Sequence, residues 1–193
     1  SIGNETIRTR TLNNLSTLYS YLKDNVKAEE YARECMKLSE KNKDEYLIST
    51  ISTTLASVLI NQGKYDEVPI LLNRAEEIAK SRNDNYLLDL VNLNYGAYHL
   101  FFKKDHHHAI QHYLLAIKYA EKIGNEYEKL RAMTNLSESY LMDKQLKKAQ
   151  ETAQESFVIV EKIGSDDIRQ RLLTVLAKTE AADGEFEKAY KHL

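Results

Sequence analysis

Asn14-Leu15-Ser16-Thr17-Leu18-Tyr19 and Asn135-Leu136-Ser137-Glu138-Ser139-Tyr140 share four of six letters, and nine residues after each tyrosine stands an alanine, Ala28 and Ala149. The 121 residues between the alanines leave room for two further copies, and both are present. One runs Leu55-Ala56, Leu59, Gly63, Tyr65 to Val68, and the other Gly96-Ala97, Leu100, His106 to Ala109. A last copy runs Leu176-Ala177, Gly184, Phe186, Ala189. The small residue at the heart of each unit therefore falls at Ala28, Val68, Ala109, Ala149 and Ala189, in steps of 40, 41, 40 and 40. Seven residues later a second small position recurs at Cys35, Ala75, Ala116 and Ser156. A fixed step with small residues in register is the mark of stacked repeat units that cover one another's apolar faces.

Each unit reads as two helices. The first, over about 46–62, 86–104, 127–143 and 166–182 with an opening copy at 6–23, carries apolar residues at helical spacing, as in Leu130, Met133, Leu136 and Tyr140. The second has the same period, as in Leu146, Ala149, Ala153 and Ile159-Val160. Asp105 and Ser165 or Asp166 suit helix N-caps, Gly124 and Gly164 suit left-handed C-caps, and Pro69 fits the first turn of its helix. The expected fold is all-α, a solenoid of antiparallel helix pairs in one domain over 1–193. Its units are 6–45, 46–85, 86–126, 127–165 and 166–193. Ile2-Gly3-Asn4-Glu5 repeats Ile123-Gly124-Asn125-Glu126, so residues 1–5 read as the tail of a preceding unit and the chain as part of a longer one.

Composition narrows the function classes. With 27 Lys+Arg against 29 Asp+Glu the net charge is −2, which argues against direct nucleic-acid contact. No apolar run approaches the ~18 residues of a membrane span. A single cysteine, Cys35, excludes an internal disulfide framework and a cysteine zinc site. One proline and six glycines leave few β-type turns. No Walker loop, Gly-x-Ser-x-Gly, His-Glu-x-x-His or dinucleotide turn occurs, so neither catalysis nor a cofactor is expected.

The pattern Asn-Leu-Ser-x-x-Tyr followed by Gly-x-Tyr/Phe-x-x-Ala, as in Gly63-Lys64-Tyr65 and Gly184-Glu185-Phe186-Glu187-Lys188-Ala189, resembles the tetratricopeptide repeat (TPR). The likeness covers essentially the whole chain, although the step exceeds the usual ~34 residues and the closing proline is absent. This long-step form is similar to the repeats of bacterial peptide-responsive regulators, of sensor kinases and LuxR-type regulators, and of kinesin light chains. The resemblance implies a right-handed superhelix whose first helices line a concave ligand face.

Carried over by register, that face holds a row Asn13, Thr53, Asn94, Thr134, Thr174 and an adjoining row Asn14, Thr54, Tyr95, Asn135, Val175. One turn earlier lie Arg10, Thr50, Val91, Arg131 and Arg171, and a third row supplies Thr17, Ser57, Tyr98, Glu138 and Lys178 beside Phe101 and Phe102. Asn matches both backbone groups of an extended peptide, and Arg offers a fork for a carboxylate. Arg10, Asn13, Asn94, Tyr98, Phe101, Arg131, Asn135 and Arg171 are therefore the candidate contacts for a protein or peptide segment. The polar row also suits a plain solvated surface, and Phe101 and Phe102 also suit packing between repeats. His106-His107-His108 with His112 reads first as a solvated helix start. His108 and His112 are four apart and could share a metal only with a third ligand from His99 or an acidic residue, so no metal site is assigned. Cys35 reads as a buried structural thiol. The expected role is a recognition scaffold of a larger bacterial signalling or transcription-regulatory protein. The alternatives are a spacer and a self-associating module that joins end to end.

Overall fold

The computed structural model describes residues 2–191, with side chains from Thr6 onward. Ten α-helices follow in order: α1 (Ile2–Tyr21), α2 (Asn25–Lys41), α3 (Glu45–Asn61), α4 (Val68–Ser81), α5 (Asn85–Tyr98), α6 (His106–Ile123), α7 (Glu126–Met142), α8 (Leu146–Ile163), α9 (Asp166–Ala182) and α10 (Phe186–Lys191). A π-helical turn, His99–Lys103, joins α5 to α6, and the described residues contain no strand. Each helix packs on the next, and α3 also packs on α1 and α5, as α7 does on α9. The chain is an all-α solenoid. The side chains of the proposed tail, residues 1–5, lie outside the described ones; the backbone from Ile2 runs on into α1.

The recurring small residues are where the helices meet. Ala28, Val68, Ala109 and Ala149, and then Cys35 and Ala75, Ala116 and Ser156, are wholly buried. Side chains this small let helix axes approach closely, and the larger Leu59, Leu72, Leu130 and Leu172 fill the space between repeats. Serines tie first helices to second ones: the Ser16 hydroxyl donates to the Ala28 carbonyl at 2.8 Å and Ser49 to Ala75 at 3.1 Å. The Cys35 thiol donates to the Thr9 carbonyl at 3.3 Å, and burial pushes its pKa up, so it is a packed thiol rather than a nucleophile.

The turns keep a stricter beat than the sequence suggests. A left-handed residue closes each of them: Lys23, Lys43, Gly63, Asn83, Lys104, Gly124, Lys144, Gly164 and Gly184. Successive ones are 20 residues apart, except Asn83 to Lys104, which are 21 apart. The amide after this residue reaches back five residues, as Asp24 to the Tyr19 carbonyl, Lys64 to Leu59, Gln145 to Tyr140 and Glu185 to Glu180. In the third repeat Asp105 reaches back six, to His99, at 3.0 Å. The extra residue of the 41-residue step therefore sits in the π turn. Counted from the start of α5, Tyr98 matches Val58; counted back from the turn, Leu100 matches Leu59; His99 is left over. A π turn is the usual way a helix absorbs one inserted residue without shifting what lies on either side.

Caps complete the local account. Asp24, Asp44, Asp84, Asp105 and Asn125 each accept a backbone N–H of the following first turn, and Gly124 and Gly164 take the left-handed C-cap conformation.

Candidate functional site

The first helices line a groove of about 590 Å³. Asn13, Asn14, Thr17, Leu18 and Tyr21 come from α1, and Thr50, Thr53, Thr54 and Ser57 from α3. Tyr86, Leu90, Leu93 and Asn94 come from α5, and Glu128 and Arg131 from α7. Helical spacing explains the set, because residues three, four and seven apart share one face.

Threonine hydroxyls in the groove spend their hydrogens on their own helices: Thr17 on the Asn13 carbonyl at 3.1 Å, and Thr53 on Thr50 at 2.7 Å. What they still present is acceptor oxygen. Asn94 Nδ2 donates across to the Thr53 carbonyl at 3.1 Å, which fixes its amide between α3 and α5. Asn13 Oδ1 is removed from solvent and accepts no hydrogen bond. An acceptor so placed favours an incoming N–H, since an unmade bond costs ~1–3 kcal/mol.

The structure corrects the register of the third repeat. Because the inserted residue is His99, the groove rows run Thr50, Leu90, Arg131; Thr53, Leu93; and Asn14, Thr54, Asn94, while Asn135 and Arg171 lie outside the groove's lining. Val91, assigned to the groove by a one-residue slip, is wholly buried, and Tyr95 turns away to donate to Asn73 and stack on His112 at 5.0 Å. Tyr98 is also outside the groove: it is 7% exposed, 6.3 Å from the Tyr65 ring and 5.4 Å from Phe102. Phe101 is exposed on the π turn and does not line the groove, and Arg10 is exposed one turn short of it. Asn13, Asn94 and Arg131 do line it.

The arginines are already engaged. Arg131 donates to Glu128 at 2.6 Å, and Arg171 holds Glu138 with a two-pronged fork at 2.8 and 2.7 Å while its second prong also reaches Asn135 Oδ1 at 2.6 Å. A ligand carboxylate would have to displace these partners.

Asp89, which sequence reasoning passed over, lies at a position held by Ser49 in the second repeat. It is wholly buried and neither carboxyl oxygen has a hydrogen-bond partner. Burial, with the nearby Glu128 charge adding to it and Arg131 opposing, pushes its pKa up to about 7. Its only advance signal was a charge inside an apolar stretch, Leu87-Leu88-Asp89-Leu90-Val91.

The histidines do not form the solvated row expected. His107 and His108 are exposed, but His112 is half-buried against α5. Its Nδ1 lies 3.0 Å from Asn92 Oδ1, and burial lowers its pKa to about 4. His99 stacks on both His108 and His112, with ring centroids 5.2 and 5.4 Å apart.

Comparison with known proteins agrees with the fold. Residues 8–42 match the tetratricopeptide repeat family. The fold is that of a TPR array. A Signal Transduction ATPase with Numerous Domains (STAND) protein with a tetratricopeptide repeat sensor, from Pyrococcus horikoshii, superimposes with a TM-score of 0.76 at 19% identity. The match covers 97% of this chain and 30% of that one, so the chain spans under a third of that protein's length. BtubC from P. vanneervenii gives a TM-score of 0.73 at 20% identity over 95% of this chain and 76% of its own. The apo form of RapI gives 0.69 at 15% identity over 96% and 80%. At these identities the likeness is one of fold. No curated protein matches the sequence. No helix among the described residues is long and apolar enough to cross a membrane.

Proposed function

We propose that this array is a recognition scaffold whose groove holds an extended peptide or partner segment, as the sensing part of a larger signalling or regulatory protein. The observation that carries the reading is the Asn14, Thr54, Asn94 row with the unsatisfied Asn13 Oδ1 beside it. Amide side chains in the first and third repeats, with the Thr54 hydroxyl between them, offer donors and acceptors to successive backbone groups of an extended chain. Leu90 and Leu93, in place of Thr50 and Thr53, give that chain one apolar seat midway along the groove. The role is binding without catalysis. The likeness to the STAND protein with a tetratricopeptide repeat sensor supports the signalling context by fold analogy.

The test is selection of a displayed random-peptide library on the 193-residue chain, followed by anisotropy titration of enriched peptides against wild type and Asn14→Ala/Asn94→Ala. Enriched peptides should bind the double variant at least about tenfold more weakly, the equivalent of one or two lost hydrogen bonds. Equal binding by a variant of unchanged circular dichroism would overturn the groove assignment. Concentration-dependent oligomers with no enriched peptide would favour the self-association alternative.

A further inference from the structure

The residue that lengthens the third repeat has chemistry of its own. His99 has no counterpart in the other units, and the π turn presents it to the first turn of α6. There one atom each of His99, Asp105 and His108 lies within 4.8 Å of the other two. The geometry points to a binding site for a divalent transition-metal ion formed by His99, His108 and Asp105.

Two observations carry it. The first is that Asp105 and His108 are already fixed toward each other. The carboxylate caps α6, accepting the His108 backbone N–H at 3.1 Å with one oxygen, while the other lies 2.5 Å from His108 Nδ1. A cation can take the place of the single proton that bridges that nitrogen and oxygen. The second is the state of His99: its Nδ1 is withdrawn from solvent and has no hydrogen-bond partner. An imidazole nitrogen left in that condition is either an unexplained cost or a ligand awaiting its ion.

Two imidazoles and one carboxylate select zinc, cobalt, nickel or copper over magnesium and calcium, which prefer all-oxygen shells. Ligand atoms around a tetrahedral zinc stand roughly 3.3 Å apart. The ligand atoms must therefore close in by up to about 1.5 Å, and the exposed His108 ring, now stacked on His99, must turn so that both imidazole lone pairs meet at the ion. Three protein ligands leave a position for water.

The test uses untagged chain and zinc chloride alone in isothermal titration calorimetry, with the visible spectrum of the cobalt form as a readout of nitrogen ligation. Wild type should bind one ion per chain, and His99→Ala and His108→Ala should each weaken binding by more than about tenfold. Asp105→Asn keeps a good N-cap and the helix but removes the charge, and should lose affinity with an unchanged circular dichroism spectrum. His107→Ala, on the exposed side of the same turn, should bind as wild type. Absence of stoichiometric binding would overturn the assignment, as would affinity that survives His99→Ala or falls equally with His107→Ala.

Discussion

The third and fourth repeats are built on one plan and differ by one residue. α7 ends at Met142, turns through the left-handed Lys144 and hands over to α8. α5 ends at Tyr98 and needs the π turn before Lys104 can do the same. Upstream of the insertion the third repeat keeps its place in the groove; downstream it keeps its place in the core, since Ala109 and Ala116 are as buried as Ala149 and Ser156. Each half is held by its own neighbours, so the mismatch is confined to the five residues between them. The third repeat also carries Asp89 where the fourth has Leu130, and Gly96 facing Tyr113 where the fourth has Ser137 and Ala153 in the matching positions.

Moving the length difference gives the largest effect. Deleting His99 restores the 20-residue beat and should cost no more than about 2 kcal/mol, with helicity unchanged. Deleting Val91 instead turns the rest of α5 by about 100° and drags apolar residues out of the core, at more than about 4 kcal/mol. Urea denaturation of the two deletions checks this; equal losses would mean that the insertion is not localised.

Asp89 comes next. Its carboxyl keeps its proton up to about pH 7 in the folded chain, whereas an unfolded aspartate loses it near 4. The native state therefore binds more protons between these values, and stability falls as pH rises through that window and levels off above it. The full span corresponds to up to about 4 kcal/mol. Asp89→Asn should remove this slope, seen as a wild-type-minus-variant difference in denaturation midpoints from pH 5 to 8. A difference that stays flat would place the carboxylate in contact with a compensating partner.

Gly96 separates packing from register. A Cβ there would lie 2.5 Å from the Tyr113 ring, which is itself 1% exposed and cannot swing away. Gly96→Ala should cost about 2–3 kcal/mol even though alanine is the better helix former by ~1. Adding Tyr113→Leu recreates the Ala56 and Leu72 pair of the second repeat and should recover most of the loss, measured by thermal unfolding.

These differences also explain what could be read in advance. The solenoid was legible because small residues recur where helices cross, a demand that backbone geometry imposes on every unit. The turns were half legible. Gly124 and Gly164 announced a positive φ, but Lys23, Lys43, Asn83, Lys104 and Lys144 adopt it with side chains that give no such warning. Asn13 and Arg131 were placed in the groove by register, and Asn94 lines it although the slip put it in the Asn13 row. Tyr98 was misplaced because the spacing shows that a residue is inserted without showing where, and Phe101 because it sits on the π turn that the insertion creates. Only the cap bond from Asp105 to His99 locates it. Burial of Asp89 and the approach of His99 to α6 depend on contacts between helices, which periodicity does not encode.

A groove built from copies has translational degeneracy: a chain lying along it meets nearly the same row after a shift of one repeat. Leu90 and Leu93 remove that symmetry, because the seats held by Thr50 and Thr53 in the second unit are apolar in the third and nowhere else along the groove. A bound segment with one well-placed apolar side chain would then have a single lowest-energy alignment, and sliding by one unit would strand that side chain against hydroxyls.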